Sequence, residues 1–332
     1  MAELRRDPIV GRWVVIDSEN QKAPGDFIKE TTNLPGVKDT CQFCPGKEHF
    51  TPPEVDALRP DDSEPDTPGW LVRTVPNKFP ALTTEGDVEK EAYGMFDVMS
   101  GVGAHEVVIE TADHQKNLAD LTAEEMGFVL GQFVSRSKAL AKDERVQYVS
   151  IFKNFGAYAG ATVEHAHSQI IALPMVPKLV NEELRGSHQY YEANKRCVFC
   201  DVIEQEYKDR ERIVVENNSF LAICPYAPRY AFETWVLPKG HQASFADIQA
   251  DTLAVLSVHL LDVLKKMRKV LSNPSYNFFI HTAPVNYSKP DCYHWHIEII
   301  PKLTRSIGFE WGTGLHITPT YPHTAAKFLR EA

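Results

Sequence analysis

Cys41-Gln-Phe-Cys44, His105 and His165-Ala-His167 recur later in the chain as Cys197-Val-Phe-Cys200, His241 and His294-Trp-His296. Each copy offers two thiolates, a lone histidine and a His-x-His pair, one residue more than a tetrahedral Cys2His2 zinc site needs. The residue types predict Zn2+ at two sites. The expected ligands are Cys41, Cys44, His105 and His165 in the first copy, and Cys197, Cys200, His241 and either His294 or His296 in the second. Parity with the first copy selects His294. A redox role for the C-x-x-C pairs is disfavoured, because no thioredoxin-like βαβ pattern surrounds either one.

The surplus histidine of each copy is the candidate for chemistry. Residues two apart on a strand project to one face, so a metal bond to His165 would hold His167 beside it. A neutral imidazole is a competent nucleophile toward phosphorus near neutral pH. Spacing alone equally allows His167 to be an alternate metal ligand. The loop at residues 154–162 favours the nucleophile: Asn154, Gly156, Gly160 and Thr162 supply small residues and polar groups where backbone N–H could approach a phosphate. Gln169 lies two residues further on and can donate to a phosphoryl oxygen without acting as a base. The second copy has Pro284, Lys289 and Pro290 in the matching loop and Glu298 in place of Gln169. Only the first copy is equipped for catalysis.

The elements that must carry these residues repeat as well. Thr122 and Glu125 form a capping box ahead of a helical pattern through Met126, Val129, Leu130, Phe133 and Val134, followed by a strand-like run at 148–152 and then His165-Ala-His167. In the second half a helical pattern through Val255, Leu256, Leu260, Val263, Leu264 and Met267 precedes a run at 276–280 and His294-Trp-His296. This order predicts an α+β fold of two tandem lobes, residues 1–176 and 190–332, each an antiparallel sheet with packed helices. The boundary is expected between Pro174 and Arg196, where Pro177, Asn181 and Gly186 interrupt the pattern. Residues 12–16 read as a strand, and the acidic, proline-rich stretch at 51–69, with Asp61, Asp62, Glu64 and Asp66, as a solvated surface loop.

With 332 residues, 43% of them hydrophobic, the chain can build sizeable cores. A net charge of −10 disfavours nucleic acid as a partner, and no apolar run reaches membrane-spanning length. The chain begins Met1-Ala2-Glu3-Leu4-Arg5-Arg6, without a signal-peptide pattern, so a soluble cytoplasmic protein is expected, with Cys224 and Cys292 as buried thiols.

These residues resemble the galactose-1-phosphate uridylyltransferase branch of the histidine-triad superfamily over most of the chain. The likeness runs through residues 4–13, Cys41-Gln-Phe-Cys-Pro-Gly46, residues 51–54, Pro76-Asn-Lys-Phe-Pro80, Gly103-Ala-His-Glu106 and residues 154–169. It implies two histidine-triad lobes, a structural zinc, and ping-pong transfer of a nucleotidyl group. In that scheme His167 attacks the α-phosphorus of a nucleoside-diphosphate sugar, Gln169 steadies the covalent intermediate, Asn154, Gly160 and Thr162 face the phosphates, and Asn77 and Phe79 line the nucleoside pocket. The implied substrates are a nucleotide sugar with a sugar phosphate or inorganic phosphate, and the implied assembly is a homodimer. UDP-glucose:hexose-1-phosphate uridylyl transfer is the leading activity. Gly312-Thr313-Gly314 stands where classical members carry a hexose-gripping tyrosine and glutamate, and it resembles the ADP-glucose phosphorylase branch, which transfers adenylyl to inorganic phosphate. The usual arginines after the first strands are missing at residues 17–23, Ala166 replaces a proline, and Ser168 replaces a glycine.

Overall fold

The computed structural model describes residues 2–27, 38–60 and 63–332. In chain order the strands and helices are β1 (Glu3–Arg6), β2 (Trp13–Ile16), β3 (Asp56–Leu58), β4 (Val72–Pro76), β5 (Lys90–Tyr93), β6 (Phe96–Met99), β7 (Ala104–Ile109), α1 (Ala123–Leu140), β8 (Tyr148–Phe155), β9 (His167–Leu173) and α2 (Lys178–Asn194). There follow α3 (Val198–Asp209), β10 (Ile213–Glu216), β11 (Phe220–Ile223), β12 (Thr234–Pro238), α4 (Ala250–Val270), β13 (Tyr276–His281), β14 (His296–Pro301), α5 (Gly308–Thr313), β15 (His316–Thr318) and α6 (Pro322–Arg330). Among the described residues no helix is long and apolar enough to cross a membrane.

The fold is α+β, and the two halves share one sheet. Ten strands run in the order β10-β11-β12-β14-β13-β8-β9-β7-β4-β3, all pairs antiparallel, with β8 and β13 joining the halves at the centre. On one face lie α1 and α4. Thr122 Oγ1 accepts from the Glu125 amide at 3.1 Å and Glu125 Oε2 accepts from the Thr122 amide at 2.7 Å, so α1 starts at the expected capping box. Met126, Val129, Leu130 and Phe133 are buried, and they share one core with Leu256, Leu260, Val263, Leu264 and Met267 of α4. Val134 is only partly buried and Val255 is exposed, at the margins of the two apolar stripes.

The other face carries the duplication in its register. One lane of paired residues crosses eight strands: Val75, Val107, Gln169, Phe152, Phe279, Glu298, Trp235 and Ile223. Directly paired residues point to the same side of a sheet. The lane is therefore palindromic about the β8–β13 seam, matching Phe152 with Phe279, Gln169 with Glu298, Val107 with Trp235 and Val75 with Ile223.

Two sequence expectations change here. Asn181 and Gly186, read as interrupting the pattern at 174–196, lie within α2: Pro177 serves as its N-cap, and Gly186 admits the N-terminal segment, since a Cβ there would lie 1.8 Å from the Ile9 carbonyl oxygen. Val180 and Leu184 of α2 pack with Phe199 and Trp235 over the second half of the sheet. The acidic stretch is also more than a solvated face. Glu54 binds Arg59 and the buried Arg73, and Asp66 Oδ1 accepts from Arg73 Nη2 at 2.6 Å. Asp61 and Asp62 lie outside the described residues.

Candidate active site and metal centres

Two Cys2His2 clusters form at the ends of the His-x-His strands. Cys41, Cys44, His114 and His165 bring their donor atoms together, as do Cys197, Cys200, His241 and His294. In the first, Cys41 Sγ and Cys44 Sγ each lie 3.6 Å from His165 Nδ1, Cys44 Sγ lies 3.4 Å from His114 Nδ1, and the two Nδ1 atoms are 3.3 Å apart. A tetrahedron with zinc bonds to nitrogen and sulfur has edges of about 3.3–3.8 Å. The donors thus already sit where a tetrahedral ion needs them. His165 Nε2 donates to the Thr111 carbonyl at 2.8 Å, which leaves Nδ1 as the ligating atom. The second cluster repeats this: Cys200 Sγ is 3.4 Å from His241 Nδ1 and 3.7 Å from His294 Nδ1, while the Nε2 atoms of His241 and His294 donate to Pro290 and Pro238 carbonyls.

His105 is not in the first cluster, and His114 takes its place. His105 lies inside β7, paired with Ile171, which points it onto the face of Gln169 and away from the thiols. Position relative to strand ends distinguishes the two histidines: His241 follows the end of β12 and His114 the end of β7, whereas His105 is interior. The Ala81 amide donates to His105 Nδ1 at 3.2 Å, so the proton sits on Nε2, which donates to Gln169 Oε1 at 2.7 Å. With its carbonyl engaged, Gln169 presents its NH2 outward. Replacing His105 by Ala is expected to free that amide and lower kcat roughly ten- to hundred-fold with a smaller change in KM, since a mispositioned donor loses part of what removing it loses. His105→Asn should restore part of the rate. An unchanged kcat for His105→Ala would show that Gln169 needs no such support.

β9 starts at His167, and His165 lies at a bend just before it. His167 is 7% exposed, and its Nδ1 donates to the His165 carbonyl at 2.8 Å, which leaves Nε2 as a lone-pair donor. Burial, with the Lys153 ammonium nearby, pushes the imidazole down to about 4, so it is neutral near pH 7. Phe43 packs edge-on against the ring, 5.5 Å between centroids. Underneath, Lys153 Nζ donates to the His167 carbonyl at 2.9 Å and to Glu110 Oε2 at 2.7 Å, and Ser168 Oγ donates to Glu110 Oε1 at 2.5 Å. Ser168 thus has a partner that a glycine there would lack.

The residues expected around phosphate gather on the seam. Asn154 Oδ1 accepts from Asn277 Nδ2 at 2.8 Å, and the same amide donates to the Ala159 carbonyl, tying the loop to β13. Gly156 and Gly160 have φ of +79° and +88°, conformations that favour glycine, and a Cβ on Gly156 would meet Ser275 Oγ at 2.2 Å. Gly160 and Thr162 are exposed. A cleft of about 100 Å³ lies between this loop and His165 and His167. Asn77 Nδ2 lies 3.1 Å from His105 Nε2, and Asn77 Oδ1 accepts from the Phe79 amide at 2.9 Å, leaving the Phe79 ring 82% exposed.

In the second half, His296 and Glu298 occupy the places of His167 and Gln169, but the surroundings close over them. His296 is 1% exposed and stacks on His281, 4.7 Å between centroids. Glu183, His281, His296 and Glu298 also cluster closely enough for a metal. Their charges are met internally, with Glu298 bound by the Arg229 guanidinium and His281 bridging Glu183 and Glu298. Although burial opposes its charge, those two carboxylates raise His281 to about 10.

The antiparallel α+β fold thus repeats its His-x-His strands and sets one of them, at His167, beside an open cleft. Residues 1–177 match the galactose-1-phosphate uridyl transferase N-terminal domain and residues 183–320 its C-terminal domain. The chain belongs to the galactose-1-phosphate uridylyltransferase family and is a nucleotidyltransferase. It is 35% identical to an ADP-glucose phosphorylase of Arabidopsis thaliana over 99% of this chain and 92% of the relative. It is 28% identical to a galactose-1-phosphate uridylyltransferase of Thermotoga maritima, over 100% and 98%. A crystal structure of an Arabidopsis thaliana ADP-glucose phosphorylase with bound ADP-glucose superposes with a TM-score of 0.83 at 33% identity, covering 100% and 99% of the two chains.

Proposed function

We propose that the chain transfers a nucleotidyl group from a nucleoside-diphosphate hexose to a phosphate-bearing acceptor through a nucleotidyl-His167 intermediate. The observation that carries this is the His167 tautomer: Nδ1–H is committed to the His165 carbonyl, so Nε2 holds the free lone pair. Nε2 attacks the α-phosphorus and the bond to hexose 1-phosphate breaks. The acceptor's phosphate oxygen then attacks the same phosphorus and His167 leaves as the neutral ring. Gln169 donates to a non-bridging oxygen as charge builds there, and the exposed loop residues Gly160 and Thr162 face the donor's phosphates. The nucleoside would lie on Asn77 and Phe79. Zinc at both Cys2His2 clusters would brace this frame without entering the chemistry.

Uridylyl transfer between UDP-glucose and a hexose 1-phosphate is the family-wide reading. Adenylyl transfer from ADP-glucose to inorganic phosphate is favoured by a particular observation, the higher full-length identity to the plant phosphorylase, together with Gly312-Thr313-Gly314 in the C-terminal segment. A screen of UDP-glucose and ADP-glucose, each with galactose 1-phosphate or inorganic phosphate, is expected to show one strongly preferred pair. Turnover with none of the four combinations would overturn the proposal. The active assembly is proposed to be a homodimer, supported by Tyr93, Met95, Phe96 and Val98, all more than half exposed on the β5–β6 hairpin. Sedimentation equilibrium should give twice the 37.5 kDa chain mass, and a monomer at assay concentration would exclude it.

A further inference from the structure

We infer that the second half keeps a nucleoside-binding pocket at the mirror position of the catalytic one. The palindromic lane supports this: Val75 and Val107 end it on the catalytic side, and Ile223 and Trp235 end it on the other. At that second end lies a cavity of about 500 Å³, within the range of small-molecule sites. Its floor is Ile223 and Trp235, its near wall is Val198 and Val202 of α3, and Tyr226 closes the far side. The choice of a nucleoside rests on placing the donor's nucleoside at the catalytic end; the cavity itself does not depend on that reading.

One polar group in this cavity lacks a partner. Glu206 lines the wall at 2% exposure; its Oε1 accepts from Arg212 Nε at 2.9 Å, but its Oε2 has no hydrogen-bond partner. A buried acceptor without a donor is costly, and Oε2, covered in this structure, would gain a partner if the side chain turned toward a ligand N–H in the cavity. The neighbouring carboxylates differ: Asp201 accepts from Tyr190 and Arg196, and Asp209 from Arg212 and Gln205. Tyr226 and Trp235 offer aromatic surface, and a base carries the required N–H. Asp7 is paired with Arg12, Asp201 with Arg196, and Glu206 and Asp209 with Arg212, so the carboxylates around the cavity are matched by guanidinium groups. The group the cavity wall asks for is a base N–H, so the ligand is assigned as a nucleoside. It is a binding site only: His296 is enclosed by Phe199, Trp235 and His281, and Glu298 would repel an attacked phosphate.

Equilibrium dialysis of the full chain with radiolabelled adenosine and uridine tests this. Wild-type protein is expected to bind one more equivalent of nucleoside than Val202→Tyr, which fills the cavity from a helix surface. Glu206→Gln, which keeps an oxygen for Arg212, should bind at that site about ten-fold more weakly. Gln205→Trp obstructs the same mouth and serves where Val202→Tyr does not fold, as judged by circular dichroism. Equal binding by wild type and the folded obstructed variant overturns the inference, as does unchanged affinity in Glu206→Gln. Label transfer to His167 is read separately, so loss of the catalytic proposal would leave this result interpretable.

Discussion

His167→Asn is expected to abolish covalent labelling from α-32P nucleoside-diphosphate glucose and to lower turnover by roughly 10⁴- to 10⁶-fold, the scale on which removing a nucleophile acts. The size follows from what the side chain supplies. Among the described residues at the start of β9, Nε2 of His167 is the lone pair left for a donor phosphorus, since His165 turns Nδ1 to the Cys2His2 cluster and Nε2 to Thr111. Asparagine approximates the shape of the ring without offering a nucleophilic nitrogen, so binding of the donor should survive. In wild type the label should be acid-labile and alkali-stable, as for phosphorus on imidazole nitrogen. Label of full stoichiometry in His167→Asn would place the intermediate elsewhere or dispense with it, and the ping-pong scheme would fall with it.

Much of this site was legible because short-range spacing carries it. The two C-x-x-C pairs and the His-x-His pairs constrain themselves, and His294, chosen over His296 by parity, sits among the thiols of its cluster. Gln169 could be placed beside His167 from strand periodicity alone. His105 and His114 could not be separated that way, because both are single histidines in the same stretch. Only the end of β7 decides which one reaches the cysteines, and boundaries are the weakest part of a sequence reading. α2 was hidden for a related reason: Gly186 reads as a helix breaker until the Ile9 backbone that crosses it is known. The palindromic lane depends on the β8–β13 pairing, a contact between residues more than a hundred apart with no local signature. The expectation of duplication was therefore available from the sequence, but its expression as one continuous sheet was not.

The two metal clusters should respond unequally to the loss of a ligand, although they are built alike. Elemental analysis of the purified protein is expected to find about two zinc ions per chain, and Cys44→Ala and Cys200→Ala should each remove one. Each loss should destabilise the fold by at least about 3 kcal/mol, a fall in Tm of about 4 °C for a chain this size. Activity should divide them. His165, a proposed first-site ligand, is also the residue whose carbonyl holds the His167 proton on Nδ1, so releasing His165 loosens the tautomer and aim of the nucleophile. The corresponding contact in the second half, His296 Nδ1 to the His294 carbonyl at 3.3 Å, positions a ring that does no chemistry. Below its melting range Cys200→Ala should keep most of the transfer rate per folded molecule, and Cys44→Ala should lose at least ten-fold. If Cys44→Ala keeps two zinc ions, the first cluster does not hold the metal. If both variants lose transfer equally, the brace acts through the whole sheet and not through the His165 carbonyl, because β8 and β13 are then rigid enough to carry a disturbance from one half to the other.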